Sequence, residues 1–203
     1  MIRQTKAKFR IREAVQTDSQ AIANLMMQAM AEVVSKLTGA EDPYSELPFL
    51  ERFIRLPENQ YSYQNTLVFE DEQGVCGSLT AYDGAKLYEL RQPILDYLNS
   101  RGIVTTKIDS ETGPGEFYID TIGVSPEKQG YGLGTQLLEA GIKRGTALGH
   151  RRIGLLVNPE NSKAKKFYER MGFREQGIRH FLNIAYSHMV FKTSEGAEQQ
   201  QTD

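Results

Sequence analysis

The feature that most constrains the fold is a strand followed by a glycine-rich helix start. Residues 116–124 (EFYIDTIGV) are rich in β-branched and aromatic side chains, which favour a β-strand. Alternate glycines then follow at Gly130, Gly132 and Gly134, and apolar residues recur at helical spacing over residues 131–148. Backbone N–H groups at such a turn point outward, and the helix dipole favours a negative charge there. The pattern therefore predicts an α/β domain with an anion-binding turn, which a phosphate group would fit.

Three patterns compete for this turn, and spacing separates them. A P-loop needs Gly-Lys-Ser/Thr after its spacer residues, and that tripeptide is absent here. A dinucleotide fingerprint needs a glycine where this chain has Thr135, and residues 151–157 supply no carboxylate for a ribose. The third pattern, Gln/Arg-x-x-Gly-x-Gly/Ala, is satisfied by residues 129–134. Glycine-rich hexamers also arise by chance, so the turn alone leaves open three glycines that bind nothing.

A second element lies one βαβ unit downstream and makes the pattern far more specific. Residues 158–173 (NPENSKAKKFYERMGF) combine Asn-x-x-Ala-x-x-Phe-Tyr with a closing Gly-Phe. Together with the strand at 116–124 and the glycine turn, this element resembles the GNAT superfamily of N-acetyltransferases. The close resemblance covers residues 116–173, and the segments before it fit the same fold more loosely.

The patterns along the whole chain predict the order β-α-α-β-β-insertion-β-α-β-α-β-β. This order is typical of an α/β (mixed α+β) domain, with helices covering a largely antiparallel sheet. The resemblance implies that the fourth and fifth strands splay apart. The helical pattern in the insertion is interrupted at Pro93, and the last two strands are predicted at residues 179–184 and 188–193.

The insertion, residues 83–115, is the segment most open to interpretation. We expect one domain over residues 1–193, followed by a polar, disordered tail at 194–203. In the family that the chain resembles, the acceptor pocket includes the segment between the third and fourth strands. The insertion is therefore either a functional lid or an added surface helix or dimer contact. Its side chains of interest are Tyr88, Arg91, Tyr97, Asp109 and Glu111.

The resemblance implies that acetyl-coenzyme A is the co-substrate. Its pantetheine arm would pair with the backbone of the fourth strand, and its pyrophosphate would lie on the N–H groups of the glycine turn. Asn161 would hydrogen-bond the arm, although a helix N-cap is the structural alternative for that side chain. The implied binding residues are Ile122, Gly123, Val124, Gln129, Gly130, Tyr131, Gly132, Leu133, Gly134, Thr135, Asn161, Ala164 and Tyr168.

The resemblance also implies an acid and a base for transfer to a primary amine. Tyr168 would protonate the departing coenzyme A thiolate, although it could instead be only a packing residue. The base is open, because Tyr118 stands where the family often has a glutamate. Asp120 and Glu116 alternate with it on the same strand and are the candidates, with surface charge or a salt bridge as the alternative role.

Composition predicts the protein's cellular location and argues against some partners, but it does not identify the substrate. The net charge is -2, so nothing points to nucleic acid or an anionic membrane surface. The single cysteine, Cys76, lies in an apolar stretch, which indicates a buried thiol in a reducing compartment, and we expect a cytoplasmic protein. The spacing of the three histidines predicts no metal site. The acceptor could be a small molecule or a peptide, and the protein could form a homodimer. The alternative functions that remain are a non-catalytic acyl-CoA sensor and a nucleotide-binding domain.

Overall fold

The computed structural model describes residues 9–103 and 108–193. The strands in these residues are β1 (Arg10–Glu13), β2 (Thr66–Asp71), β3 (Gly74–Asp83), β4 (Phe117–Val124), β5 (Arg152–Val157), β6 (Arg174–Phe181) and β7 (Ile184–Lys192). The helices are α1 (Ser19–Thr38), α2 (Leu47–Arg55), α3 (Leu87–Ser100), α4 (Leu133–Ala147) and α5 (Ser162–Arg170). The strands form one seven-stranded sheet in the order β1-β2-β3-β4-β5-β7-β6. Neighbours are antiparallel except β4 and β5, so the predicted mixed, largely antiparallel sheet is confirmed.

The sheet separates two apolar cores, and β2 shows how. Val68 packs with Ile22 of α1 and Leu50 of α2, whereas its neighbours Leu67 and Phe69 pack in a second cluster with α4. Successive side chains of a strand point to opposite faces of the sheet. The first two helices and α3 therefore cover one face, and α4 covers the other.

The last hairpin begins earlier in the chain than the sequence pattern predicts. Its turn consists of Leu182 and Asn183, which have φ angles of 50° and 61°. Two consecutive positive φ angles are the conformation of a type I′ hairpin turn. The predicted strand bounds, 179–184 and 188–193, were therefore wrong: residues 185–187 belong to β7, where Tyr186 pairs with Arg179 of β6.

Pro93 does not interrupt the helix of the insertion, contrary to the prediction. The helix runs through it from Leu87 to Ser100. A proline inside a helix removes one backbone hydrogen bond and costs about 3 kcal/mol. The buried side chains of Leu87, Ile94 and Leu98 lie along one stripe of this helix, and their burial offsets that cost.

Glycines let α4 lie close to the sheet. A Cβ atom added at Gly145 would stand 2.6 Å from side-chain atoms of Ile153 and Phe117. One added at Gly141, a turn earlier, would stand 3.0 Å from Leu79. Neither glycine position has room for a methyl group. The distance between α4 and the sheet therefore depends on glycine at both positions.

We expect Gly145→Val to lower the free energy of unfolding by about 1–3 kcal/mol, the usual cost of overpacking a core. Urea denaturation followed by circular dichroism measures this change. Lys143→Val is the matched control, because it puts the same side chain at an exposed position of the same helix. The control should stay within about 0.5 kcal/mol of the parent protein, and equal losses in both variants would contradict the close-packing argument.

Candidate active site

The fourth and fifth strands separate soon after they begin. They pair in parallel at three positions, the last joining Ile119 to Leu155. Beyond that point β4 stays paired to β3 as far as Val124, and β5 stays paired to β7 as far as Val157. Each strand therefore keeps one open edge, and the splayed strands implied by the resemblance are confirmed. An open strand edge offers unpaired N–H and C=O groups to an added partner.

A β-bulge lies where the strands part. Thr80 pairs with Thr121 while the next residue, Ala81, pairs with Ile119. Asp120 is therefore the extra residue of β4, without a partner opposite it on β3. Bulges of this kind re-aim side chains and are common beside active sites.

A cleft of about 710 Å³ occupies the gap between the strands. Its walls come from α1, the segment after α2, the parted ends of β4 and β5, the start of α5, and the last hairpin. The first helix is kinked beside it, since Met30 has φ -135° and ψ 26°. The lining includes Gln28, Ala29, Met30, Glu32, Val33, Gln60, Tyr61, Tyr118, Asp120, Thr121, Ile122, Leu156, Val157, Asn158, Glu160, Asn161, Ala164, Tyr168, Phe181 and Tyr186.

The glycine turn adopts the conformation that its composition predicts. Gly130 and Gly132 have φ angles of 85° and 80°, a region that side-chain-bearing residues rarely enter. The helix begins at Leu133 rather than Tyr131, with Gly132 as its N-cap, so Tyr131 lies in the turn and is exposed. The amides of the first helical turn, including those of Gly134 and Thr135, have no acceptor within a helix.

Gln129 connects this turn to the end of β4. Its side-chain amide donates a hydrogen bond to the Val124 carbonyl at 3.2 Å. A Cβ atom added at Gly134 would lie 3.9 Å from both Val124 and Phe167, which is ordinary contact. The turn, the strand end and α5 therefore meet at one place. Within that group, Gly123 lies against the first helix, because an added Cβ would be 2.8 Å from the Leu25 carbonyl oxygen.

The start of α5 presents one face to the cleft. Asn161, Ala164 and Tyr168 all line it, at the i, i+3, i+7 spacing of one helix face. The Asn161 side chain accepts a hydrogen bond from the Ala164 amide at 3.0 Å, so its role as a helix N-cap is confirmed. Tyr168 packs between the rings of Phe167 and Phe173, at centroid distances of 5.3 and 5.9 Å. Burial raises the pKa of the Tyr168 phenol to about 12.

The Asp120 carboxyl group lines the cleft, and its surroundings shift its pKa. Burial raises its pKa to about 8, and the negative charge of Glu111 adds to that effect, while Arg91 and a hydrogen bond from Gln60 oppose it. Its Oδ2 atom is buried without a hydrogen-bond partner among the described residues. A carboxyl group in this setting titrates near neutral pH, which suits a general base.

Glu116, the other candidate base, is held away from the cleft lining. Its carboxylate lies 3.0 and 3.1 Å from His188 Nε2 and accepts a hydrogen bond from Thr112 at 3.1 Å. Burial alone would raise the pKa of Glu116, but the hydrogen bond and charge of His188 and the charge of Arg179 outweigh burial and lower it. A Cβ atom at Gly154 would stand 2.2 Å from this carboxyl group, so the glycine makes room for it.

The buried pair Arg91–Glu111 is a part of the site that motif reasoning did not assign. Both side chains come from the insertion, both are buried, and they form a salt bridge behind Asp120. Gln60 donates to Glu111 at 2.9 Å and accepts from Arg91 at 3.4 Å. A sequence signal does exist, because Arg91 falls on the apolar stripe of its helix between Leu87 and Ile94.

Comparison with known proteins agrees with this geometry. A profile of the acetyltransferase (GNAT) family matches residues 27–173. The chain belongs to the acetyltransferase (GNAT) family. Members of this family take acetyl-CoA as co-substrate.

Individual GNAT relatives agree in fold and differ in length. A mycothiol acetyltransferase of Paenarthrobacter aurescens (strain TC1) is 40% identical over 76 residues, which cover 36% of this chain but 23% of that relative. A crystal structure of an acetyltransferase has a TM-score of 0.74 and 28% identity, covering 91% of this chain and 100% of its own. An N-acetyltransferase from Staphylococcus aureus Mu50 has a TM-score of 0.75 and 24% identity, covering 89% and 99%. The chain thus spans about a quarter of the curated relative and nearly all of the GNAT structures.

Two further observations concern metals and membranes. Within residues 9–103 and 108–193, no cluster of His, Cys, Asp and Glu side chains could hold a metal ion. No helix in this part of the chain is both long and apolar enough to cross a bilayer. The cytoplasmic location stays a prediction from composition, and the tail at 194–203 lies outside the described residues.

Proposed function

We propose that this GNAT protein transfers an acetyl group directly from acetyl-coenzyme A to a primary amine while both are bound in the cleft. The observation that carries the proposal is a single cleft lined by the open edge of β4, the Tyr168 phenol and the Asp120 carboxyl group. The glycine turn meets the same strand end through Gln129. The proposed acetyl-CoA site, the acid and the base therefore border the same cleft.

The residues present fit coenzyme A. The open edge of β4, through Ile122, Gly123 and Val124, offers backbone groups that the amides of a pantetheine arm would pair with. The positive-φ glycines and the first-turn amides of α4 form an anion site for the pyrophosphate. Bound there, the cofactor supplies the acetyl group as a reactive thioester. A backbone N–H of the open edge near Ile122 would polarise the thioester carbonyl.

Asp120 is the proposed base. An amine attacks only in its neutral form, so a proton must leave the ammonium group first. With a pKa of about 8, the Asp120 carboxylate accepts that proton near neutral pH, directly or through one water. Glu116 is not proposed for this step, because His188 and Thr112 occupy its carboxylate.

Tyr168 is the proposed acid. As the nitrogen–carbon bond forms and the carbon–sulfur bond breaks, the phenol hydrogen-bonds the departing thiolate and passes its proton to sulfur. The nitrogen loses a second proton as it becomes an amide, and this proton returns to the Tyr168 oxygen through water, so that the neutral amine and the thioester give an amide and a free thiol. A pKa of about 12 keeps Tyr168 protonated at every working pH, so the donor is always present. A free thiol has a pKa of about 8.5, which is well below the pKa of the phenol. The phenol therefore acts mainly by donating a strong hydrogen bond to sulfur in the transition state.

The charge of the cleft favours a cationic acceptor. Its acidic lining residues are Glu32, Asp120 and Glu160, and the described residues that line it include neither lysine nor arginine. Acidic walls attract an ammonium group and raise its local concentration. We therefore propose an alkylamine, either a small molecule or the amine of a peptide, as the acceptor.

Steady-state measurement of coenzyme A release with a panel of primary amines tests the proposal. We expect saturation in both substrates and intersecting initial-rate lines, because transfer in a ternary complex does not give the parallel lines of a ping-pong enzyme. Acetyl-CoA, but neither ATP nor NAD, should raise the melting temperature. Binding without turnover of any amine would indicate a non-catalytic acyl-CoA sensor, and stabilisation by a nucleotide alone would overturn the proposal.

Two glycine variants make that test specific to the turn. Gly132 has φ 80° and ψ 8°, and Gly39, which ends the first helix away from the cleft, has φ 76° and ψ 9°. Gly132→Ala and Gly39→Ala therefore impose the same backbone strain of about 1–2 kcal/mol. Both should lower the melting temperature similarly. Only Gly132→Ala should raise the KM for acetyl-CoA, on the order of tenfold, since each factor of ten costs about 1.4 kcal/mol of binding.

A further inference from the structure

We propose that the buried ion pair Arg91–Glu111, together with Gln60, positions the carboxyl group of Asp120 and biases its charge. This inference rests on the proposed function, in which Asp120 is the base. It assigns a role to the insertion at 83–115: part of it is the supporting layer beneath the base, in addition to any part in contacting the acceptor. Arg91 and Glu111 are positioning residues, because they act through Gln60 and Asp120.

The contacts form a continuous chain from the insertion to the cleft. Arg91 pairs with Glu111, and their side chains are 6% and 2% exposed. Gln60 joins both, donating to Glu111 at 2.9 Å and accepting from Arg91 at 3.4 Å. Its side-chain amide also acts on the Asp120 carboxyl group, whose pKa it lowers. Gln60 and Asp120 line the cleft, so the chain ends at the reacting atoms.

The insertion is held firmly enough to act in this way. The Arg91 guanidinium donates to the Asp109 carbonyl at 3.2 Å and lies 5.5 Å from the centre of the Phe181 ring. The Glu111 backbone carbonyl accepts from Arg179 of β6 at 2.7 Å. The charged pair is therefore tied on one side to its own segment and on the other to the last hairpin.

Charge balance gives the pair an effect beyond packing. Two carboxyl groups, Asp120 and Glu111, share one guanidinium, that of Arg91. The phenols that face them are Tyr61, Tyr82 and Tyr118, and burial raises the pKa of each, so they stay neutral and cancel no charge. From the cleft side, the titratable neighbours are Glu32, Glu160, Tyr168 and Tyr186. One negative charge is therefore in excess, and Glu111 opposes the ionisation of Asp120 while Arg91 favours it.

Charge-changing variants of the two partners test the proposal, because they should move Asp120 in opposite directions. Glu111→Gln removes the charge that repels ionised Asp120, and we expect the pKa of Asp120 to fall by about 1–3 pH units. Arg91→Met removes the attraction, and we expect it to rise by about 1 unit or more. Carboxyl ¹³C NMR of protein labelled at aspartate, assigned with Asp120→Asn, measures both shifts directly. The acid limb of kcat/KM should follow the same directions.

The NMR measurement separates this inference from the proposed function. If no amine is acetylated but the two shifts are found, the proposed reaction fails and the positioning role stands. If turnover is found and Asp120 does not shift, or shifts in the same direction in both variants, the positioning role is overturned. A purely structural pair would lower the stability of both variants without opposite titration shifts.

Two more variants keep the test decisive if a single charge change unfolds the protein. Gln60→Met leaves the ion pair intact and removes the bridge, so we expect Asp120 to titrate higher and kcat to fall more than the KM for acetyl-CoA changes. Absence of that rise would contradict the proposal. The double variant Arg101→Met/Glu46→Gln is the matched control, because it removes another ion pair to which the insertion contributes a residue, with contacts of 2.7 and 2.8 Å, away from the cleft lining. It should leave the Asp120 titration in place.

Discussion

Asp120→Asn is expected to lower kcat/KM about 10²–10⁴-fold at pH 8.5, the range that loss of a general base produces. In the parent protein the activity should rise with pH and level off above a pKa of about 8, because only the ionised carboxylate accepts the ammonium proton. The variant should lose that limb, because asparagine does not titrate. A pH profile of kcat/KM for both proteins measures the effect.

Stability at high pH separates loss of a base from loss of the fold. The pKa of Asp120 is raised in the folded protein, from 3.8 to about 8, so the folded state binds the proton more tightly than the unfolded state does. Its contribution to stability is therefore present below pH 3.8 and is lost as pH rises towards 8. Asparagine avoids that loss, so the melting temperature of Asp120→Asn should equal or exceed the parent value at pH 8.5.

Glu116→Gln is the matched control for the base. It also removes one carboxylate, at the residue just before β4, but that carboxylate is bound to His188 and Thr112. We expect this variant to lower the melting temperature and to leave the acid limb of kcat/KM in place. If the limb disappears in Glu116→Gln and persists in Asp120→Asn, then Glu116 is the base and the assignment to Asp120 is wrong.

Tyr168→Phe is expected to lower kcat about 10²-fold with little change in the KM for acetyl-CoA. The reason is that the phenol interacts most strongly with the thiolate, which exists only as the carbon–sulfur bond breaks. The ring is kept, so the packing against Phe167 and Phe173 stays. Burst and steady-state measurements of coenzyme A release give the two constants.

Leaving-group dependence tests the role of the phenol more sharply. The thiolate of a more acidic thiol leaves more easily and needs less stabilisation from a hydrogen bond. The factor by which Tyr168→Phe lowers kcat should therefore be smaller with an acetyl thioester of such a thiol. Tyr186→Phe, which removes another phenol from the cleft lining, should cost no more than a few-fold and should show no dependence on the thiol. An equal deficit of Tyr168→Phe with both donors would exclude it as the acid.

Local sequence determined the parts of this protein that depend on backbone conformation over a few residues. The glycine turn at Gly130 and Gly132 was predictable because only glycine enters a positive-φ conformation without strain. The N-cap role of Asn161 was also predictable, because its side chain can accept a hydrogen bond from the amide three residues later. The fold class followed from the order of the predicted elements along the whole chain.

Only the tertiary structure decided which acids meet the cleft. Alternation along the predicted strand at 116–124 placed Glu116 and Asp120 alike, but a bulge opposite Thr80 singles out Asp120, and His188 from the last strand binds Glu116. The pair Arg91–Glu111 likewise depends on folding of the insertion, whose helix packs against the sheet where Leu87 meets Tyr82 and Tyr118. Bulges and buried ion pairs depend on partners tens of residues away, whose positions are set by strand pairing and packing, so no local pattern in the chain determines them.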